Sequence, residues 1–234
     1  MGYIDDSVML GVSDGEDTEN SIAGLEVQLV ALEDRIRELP ANANSVDRAY
    51  LDLQMARVKV GLDQKPEAWS LARNAFDVFL QANEWERAVE ACDLMFLSEQ
   101  EGSLNALGQG IWLGVTYPID PELTLAMLQH VIEETPDDAD GAAVAAATSL
   151  YIVHLRAEGK QKEDLEFFAN QMLGSVARRH SDVGSQAQFE HWIHKLELDN
   201  PEAFLVRLRN VVDVLVQDDW WFDRDELRER LPVN

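Results

Sequence analysis

Aspartate and glutamate total 44 of 234 residues against 19 lysines and arginines, a formal net charge of −25. A field of that sign opposes broad contact with phosphates, which sets nucleic acid aside and disfavours anionic membrane surfaces, while a basic partner, a metal ion or a cationic peptide would be attracted. The same acidity also serves solubility or suits a high-salt habitat, and the single cysteine, Cys92, precludes an intrachain disulfide.

Residues 1–20 carry Asp5, Asp6, Asp14, Glu16, Asp17 and Glu19 around the short apolar core Val8, Met9, Leu10 and Val12. The expectation is a disordered acidic tail, with docking on a partner as its alternative role. The start has no basic segment leading into an apolar run, so it does not read as a signal peptide and the expected location is the cytoplasm. Ile22, Leu25, Leu29, Leu32, Ile36 and Leu39 then alternate steps of three and four, capped by Asn20 or Ser21 and stopped by Pro40. Such a seam packs on another helix of the same chain or, as the sharper alternative, on a second copy in a homodimer. A helix over 46–62, begun by Asn44 or Ser45, should follow.

From Ala68 to Leu97 two apolar stripes succeed one another. Ala68, Leu71, Ala72, Ala75, Phe76, Phe79 and Leu80 form the first; Trp85, Ala88, Val89, Cys92, Met95 and Phe96 form the second. Only Gln81 to Glu84 lie between them, which allows only an antiparallel helical hairpin. This hairpin resembles a tetratricopeptide repeat. Phe76 and Phe79 match its large first-helix positions, Trp85 the aromatic residue opening its second helix, and Ala88 its close-packing small residue; the closing proline is absent after Phe96. The resemblance implies peptide or protein binding in a concave groove, as in adaptors, co-chaperones and assembly factors. Members that clamp an acidic C-terminus do so with lysine and arginine, and the corresponding positions here are mostly apolar or acidic.

Leu104 to Tyr117 contains Ala106, Gly108, Gly110 and Gly114, a composition that predicts close approach of neighbouring backbones. No lysine followed by serine or threonine accompanies these glycines, as a phosphate loop would require. Asp120 and Pro121 open a helix over 122–134, and Asp140 is expected to cap an alanine-rich helix over 141–157 that is central to the fold. The apolar run from Ala142 to Leu155 is broken by Thr148, Ser149, Tyr151 and His154 and falls short of the ~20 residues a spanning helix needs, so membrane insertion is not expected. Gly159 should end that helix. Others are expected over 163–179, 186–198 and, capped by Asn200, 201–216. Asp223 with Glu226 makes a capping box for a last helix after Trp220, Trp221 and Phe222.

Signs of chemistry are sparse. His191 and His194 lie one helical turn apart and are weak metal candidates, lacking the Glu-x-x-His and His-Glu-x-x-His motifs. Arg178, Arg179 and His180 suit a helix C-terminus through the dipole alone. Cys92, beside Glu90, Asp93 and apolar residues, reads as a buried structural thiol. No Gly-x-Ser-x-Gly elbow occurs.

These readings converge on an all-α chain. An acidic tail over 1–20 precedes a single domain over 21–234, an array of antiparallel helical hairpins forming a tetratricopeptide-like α-solenoid of about nine or ten helices. The expected function is that of a non-catalytic adaptor, chaperone or assembly factor without cofactor, binding its partner in an acidic groove. Candidate contact residues are Phe79, Trp85, Trp112, Tyr117, Trp220, Trp221 and Phe222. The alternatives are a structural subunit of a larger complex and a helical metal enzyme using His191 and His194.

Overall fold

The computed structural model describes residues 21–40 and 42–231; the tail over 1–20 lies outside the described residues. Among the described residues the chain is all-α, with eleven helices and no strand. The helices are α1 (Ile22–Glu38), α2 (Ser45–Gly61), α3 (Lys65–Ala82), α4 (Trp85–Leu97), α5 (Ser103–Thr116) and α6 (Pro121–Glu134). There follow α7 (Asp140–Arg156), α8 (Gly159–Ser181), α9 (Gln186–Lys195), α10 (Pro201–Val216) and α11 (Arg224–Glu229). None is long and apolar enough to cross a membrane. The described residues divide into two compact units, 21–113 and 114–231, with the division inside α5.

In the first unit neighbours in sequence are neighbours in space: α1 packs on α2, α2 on α3 and α4, and α3 on α4. Ser21 accepts from the Gly24 N–H and Asn44 from the Val46 N–H, so each of the first two helices begins at a side-chain cap. The seam of α1 is used within the chain. Leu25, Leu29, Leu32, Ile36 and Leu39 pack around Leu51, Met55, Val58 and Leu62 of α2 and its end, whereas Ile22 stays 70% exposed. Gly61 permits that approach, since a Cβ there would stand 2.9 Å from a Leu25 methyl. The α3–α4 hairpin turns through Asn83 and Glu84 alone, with Asn83 in the left-handed region at φ 59°, which asparagine tolerates better than most residues. Phe76, Phe79, Ala88 and Cys92 are completely buried there. Arg57 to Glu90 (3.1 Å) and Arg87 over the Tyr50 ring (4.7 Å) tie α2 to α4. In α5 every residue from Asn105 to Gly114 is buried, including the polar pair Asn105 and Gln109, whose amide N–H donates to Asn105 Oδ1 at 2.8 Å.

The second unit is organised around α7, which packs on α6, α8 and α10. Residues Ala142 to Ser149 are all buried. Thr148 and Ser149 donate their hydroxyls to the carbonyls of Val144 (2.8 Å) and Ala145 (3.0 Å), which satisfies them inside the core. Gly114 lies against Thr124, whose Oγ1 would stand 3.3 Å from an added Cβ, in keeping with the expected close packing at that position. Three arginines close helix ends by donating to carbonyls that the helices leave unpaired. Arg156 reaches Gly114 O (2.6 Å) and Val115 O (2.7 Å) in the last turn of α5. Arg179 reaches Ile132 O (2.6 Å) and Thr135 O (3.3 Å) at the end of α6, and Arg207 reaches Leu196 O after α9. Tyr117 donates to Leu227 O (2.6 Å) and so fastens the buried side of α11.

Two boundaries differ from the sequence reading. Gly159 opens α8 rather than closing α7, at φ 54°, because Ala157 and Glu158 already break the helix in extended conformation. Helix α9 stops at Lys195, short of 198, because Glu197 adopts φ 51° and the Leu198 N–H turns back to Ile193 O (2.9 Å).

Candidate functional site

The inner stripe of α8 runs through Leu165, Phe168, Ala169, Met172, Leu173, Val176 and Ala177. His180, four residues after Val176, continues it and is carried inward, leaving its side chain 11% exposed. After Asp182, left-handed at φ 49°, the chain turns, and Ser185 caps α9 by accepting from the Gln188 N–H. Trp192 of α9 is buried and meets the His180 ring edge-on at 5.9 Å. The adjacency of α7 and α8 brings Asp140, the first residue of α7, to the same place.

The polar contacts assign the histidine tautomer. The Trp192 indole N–H donates to His180 Nδ1 at 3.2 Å, so Nδ1 is an acceptor. The ring proton then sits on Nε2, facing Asp140 Oδ1 at 3.2 Å. The Ser181 hydroxyl also lies 2.7 Å from Nδ1, whose one lone pair the indole N–H already takes. The other oxygen of Asp140 faces Arg207 Nη1 at 3.9 Å. Asp140 is therefore not the helix cap that its sequence position suggested. The cap position is Ala139, without a side-chain bond, and the Asp140 carboxylate is engaged by His180 and Arg207 instead. Beside this cluster opens a surface cleft of about 350 Å³, walled by Val183, Ala187 and Trp192 and edged by Ser181, Gln188, His191 and Lys195.

His191 thus lines the cleft, while His194 is 85% exposed and faces Asp199 at 3.5 Å. Among the described residues no three histidine, cysteine or carboxylate groups gather as metal ligands would, so the two histidines are not joined by a third donor. Burial of Cys92 raises its thiol pKa well above the ordinary value, as expected of a structural cysteine.

The aromatic contact candidates separate by burial. Phe79 and Tyr117 are 0% and 1% exposed and Trp112 is 7% exposed; all three are core, because the stripes that made them conspicuous are the faces their helices bury. Trp85, Trp220, Trp221 and Phe222 are half-buried. Trp220 meets Phe222 edge-on at 5.7 Å, and Arg224, paired with Asp213 at 3.2 Å, stacks 4.1 Å over the Trp220 ring.

No family model, curated protein or solved structure matches the chain. The grouping of Asp140, His180, Ser181 and Trp192 escaped the sequence reading, which placed His180 among the charges of a helix end. The available signal was the step of four from Val176, which puts His180 but not Arg178 on the inner stripe.

Proposed function

We propose that this chain is a non-catalytic, cytoplasmic protein-binding adaptor or assembly factor, arranged as tetratricopeptide-like hairpins, that captures a basic amphipathic helix of a partner protein. The observation that carries this reading is the outer face of α1. Its inner stripe from Leu25 onward is satisfied by α2, yet Val27 and Val30, off that stripe, remain 71% and 58% exposed. Apolar side chains on both faces of a helix call for two neighbours. Glu26, Glu33, Asp34 and Glu38 are exposed around the outer stripe, and Arg35 and Arg37 offset them only in part. That mixture suits apolar anchors flanked by lysine or arginine. The seam residues themselves face α2, so a homodimer through them would require α1 to leave its place.

The test compares capture by the wild-type chain with capture by a Val27→Lys, Val30→Lys double variant at low salt, read by quantitative mass spectrometry. Both positions are exposed, so folding should be unchanged. The expected result is a stoichiometric partner, released by added salt, whose recovery falls at least ~10-fold in the variant. Equal recovery by both chains, or no stoichiometric partner for either, overturns the proposal.

A further inference from the structure

We propose that His180 is a pH-operated latch, which holds α9 on α8 while its ring is neutral and releases α9 when the ring takes up a proton. This stands independently of partner capture by α1. Histidine is the side chain whose charge changes between about pH 5 and pH 8, and the effect of that change here follows from the donors and acceptors around the ring. In the neutral ring the Nε2 N–H faces Asp140 Oδ1 at 3.2 Å, and the one lone pair of Nδ1 accepts from the Trp192 indole N–H at 3.2 Å. A proton added at Nδ1 turns that acceptor into a donor. An indole nitrogen only donates, so two N–H groups then face one another and the bond between α8 and α9 is lost. The Ser181 hydroxyl, 2.7 Å from Nδ1, is placed to accept the new N–H. Nδ1 thereby exchanges a partner on another helix for the next residue of its own.

On the other side of the ring the same proton acts in the opposite sense. The Nε2 N–H becomes part of a cation facing the Asp140 carboxylate, so the tie from α8 to α7 gains an ion pair as the tie to α9 breaks. Trp192 is the one residue of α9 that is buried, which makes it the anchor of that helix. Its other aromatic neighbour is Phe189 of the same helix, with ring centroids 6.0 Å apart, so that contact fastens α9 to nothing else. The chain just after α9 is secured separately, by Arg207 on Leu196 O and by the buried Leu198. Release is therefore confined to residues 186–192, and the cleft that Trp192 walls changes shape with it. The charges that bear on the ring are Asp140 from α7, Arg207 from α10 beside the second oxygen of Asp140 (3.9 Å), and His191 and Lys195 from α9. Within α8, Arg179 is faced by Asp137, which follows α6, at 3.7 Å.

The experiment follows the full chain from about pH 8 to about pH 5 by NMR, reading the Trp192 indole N–H assigned through its contacts with the His180 and Phe189 rings, together with amide hydrogen exchange. As pH falls the indole proton should move upfield, the sign of a lost acceptor. Exchange over residues 186–192, corrected for its intrinsic pH dependence, should be ~10-fold faster at the acid end, with the inner stripe of α8 unchanged. His180→Asn sets a carbonyl oxygen, an acceptor at every pH, in the place of Nδ1 and should abolish both effects; His191→Gln and His194→Gln should leave them intact. Ser181→Ala removes the acceptor of the protonated ring. Being exposed, that position tolerates the change, and the transition should move to lower pH by about 0.5 or more, a ~3-fold weaker uptake of the proton. An indole signal that stays still over the whole range, an equal response in a folded His180→Asn chain, a response lost in His191→Gln, or an unmoved transition in Ser181→Ala overturns the proposal. Should His180→Asn fail to fold, the Ser181→Ala chain decides.

Discussion

The two compact units solve the same problem of packing helices by different means. Over residues 21–113 the chain stacks amphipathic helices largely on their sequence neighbours through apolar contacts, with Arg57–Glu90 and Arg87–Tyr50 added between α2 and α4. Over 114–231 a helix buried on nearly all sides is enclosed by α6, α8 and α10, and arginines from α7, α8 and α10 close helix ends 11 to 47 residues away in sequence. Burying a helix all round leaves no solvent for the helix ends packed near it, so their carbonyls need donors from side chains. Long-range polar contacts in the second unit accompany the burial of α7 on nearly all sides.

The largest expected effect separates the two strategies. Phe79→Ala should cost about 3–5 kcal/mol, because a completely buried ring leaves a cavity in the α3–α4 hairpin. In hydrogen exchange the loss of protection should centre on residues 45–97; equal loss throughout 140–181 would break the contrast. Arg156→Met should cost about 2–3 kcal/mol, the loss of two charge-assisted bonds to partly buried carbonyls. Its effect should be read in urea unfolding and in faster exchange near Gly114 to Tyr117. A value below about 0.5 kcal/mol would mean that water replaces the guanidinium and that the cap is ornamental.

A smaller effect should come from pH. Burial raises the Cys92 thiol well above its ordinary pKa, and burial likewise raises Tyr117. For each group the unfolded state releases its proton first as pH rises, so the stability present below the unfolded pKa declines above it. The loss should begin near pH 9 through Cys92 and be reinforced from about pH 10 by Tyr117, at up to roughly 1.4 kcal/mol per group per pH unit. Replacing Cys92 by alanine should remove the first part of the slope. The native chain should also resist iodoacetamide until it unfolds.

Much of the architecture was legible because it rests on local rules. Steps of three and four named the buried faces of α1, α3 and α4, and Ser21, Asn44, Asp120, Asn200 and Asp223 all accept the N-terminal N–H groups expected of them. Asp140 looked like the same kind of signal and was not, because His180, forty residues away in sequence, claims its carboxylate. Periodicity finds an apolar stripe but says nothing of which polar residue a distant helix will bring to its end. Three of the seven aromatic candidates are core for a related reason. Size predicts burial as readily as it predicts an anchor, and Phe79, Trp112 and Tyr117 went to the core.

The arginine caps also bear on how this acidic chain responds to its ionic surroundings. Surface carboxylates repel one another through water, and dissolved ions quench that repulsion within a Debye length of about 8 Å at physiological strength. The contacts of Arg156 and Arg179 are direct, reach to 2.6 Å and lie in partly buried places where counterions do not enter. Added potassium chloride should therefore relieve the repulsion among 44 acidic side chains while leaving these helix closures intact. Stability should therefore rise with added salt.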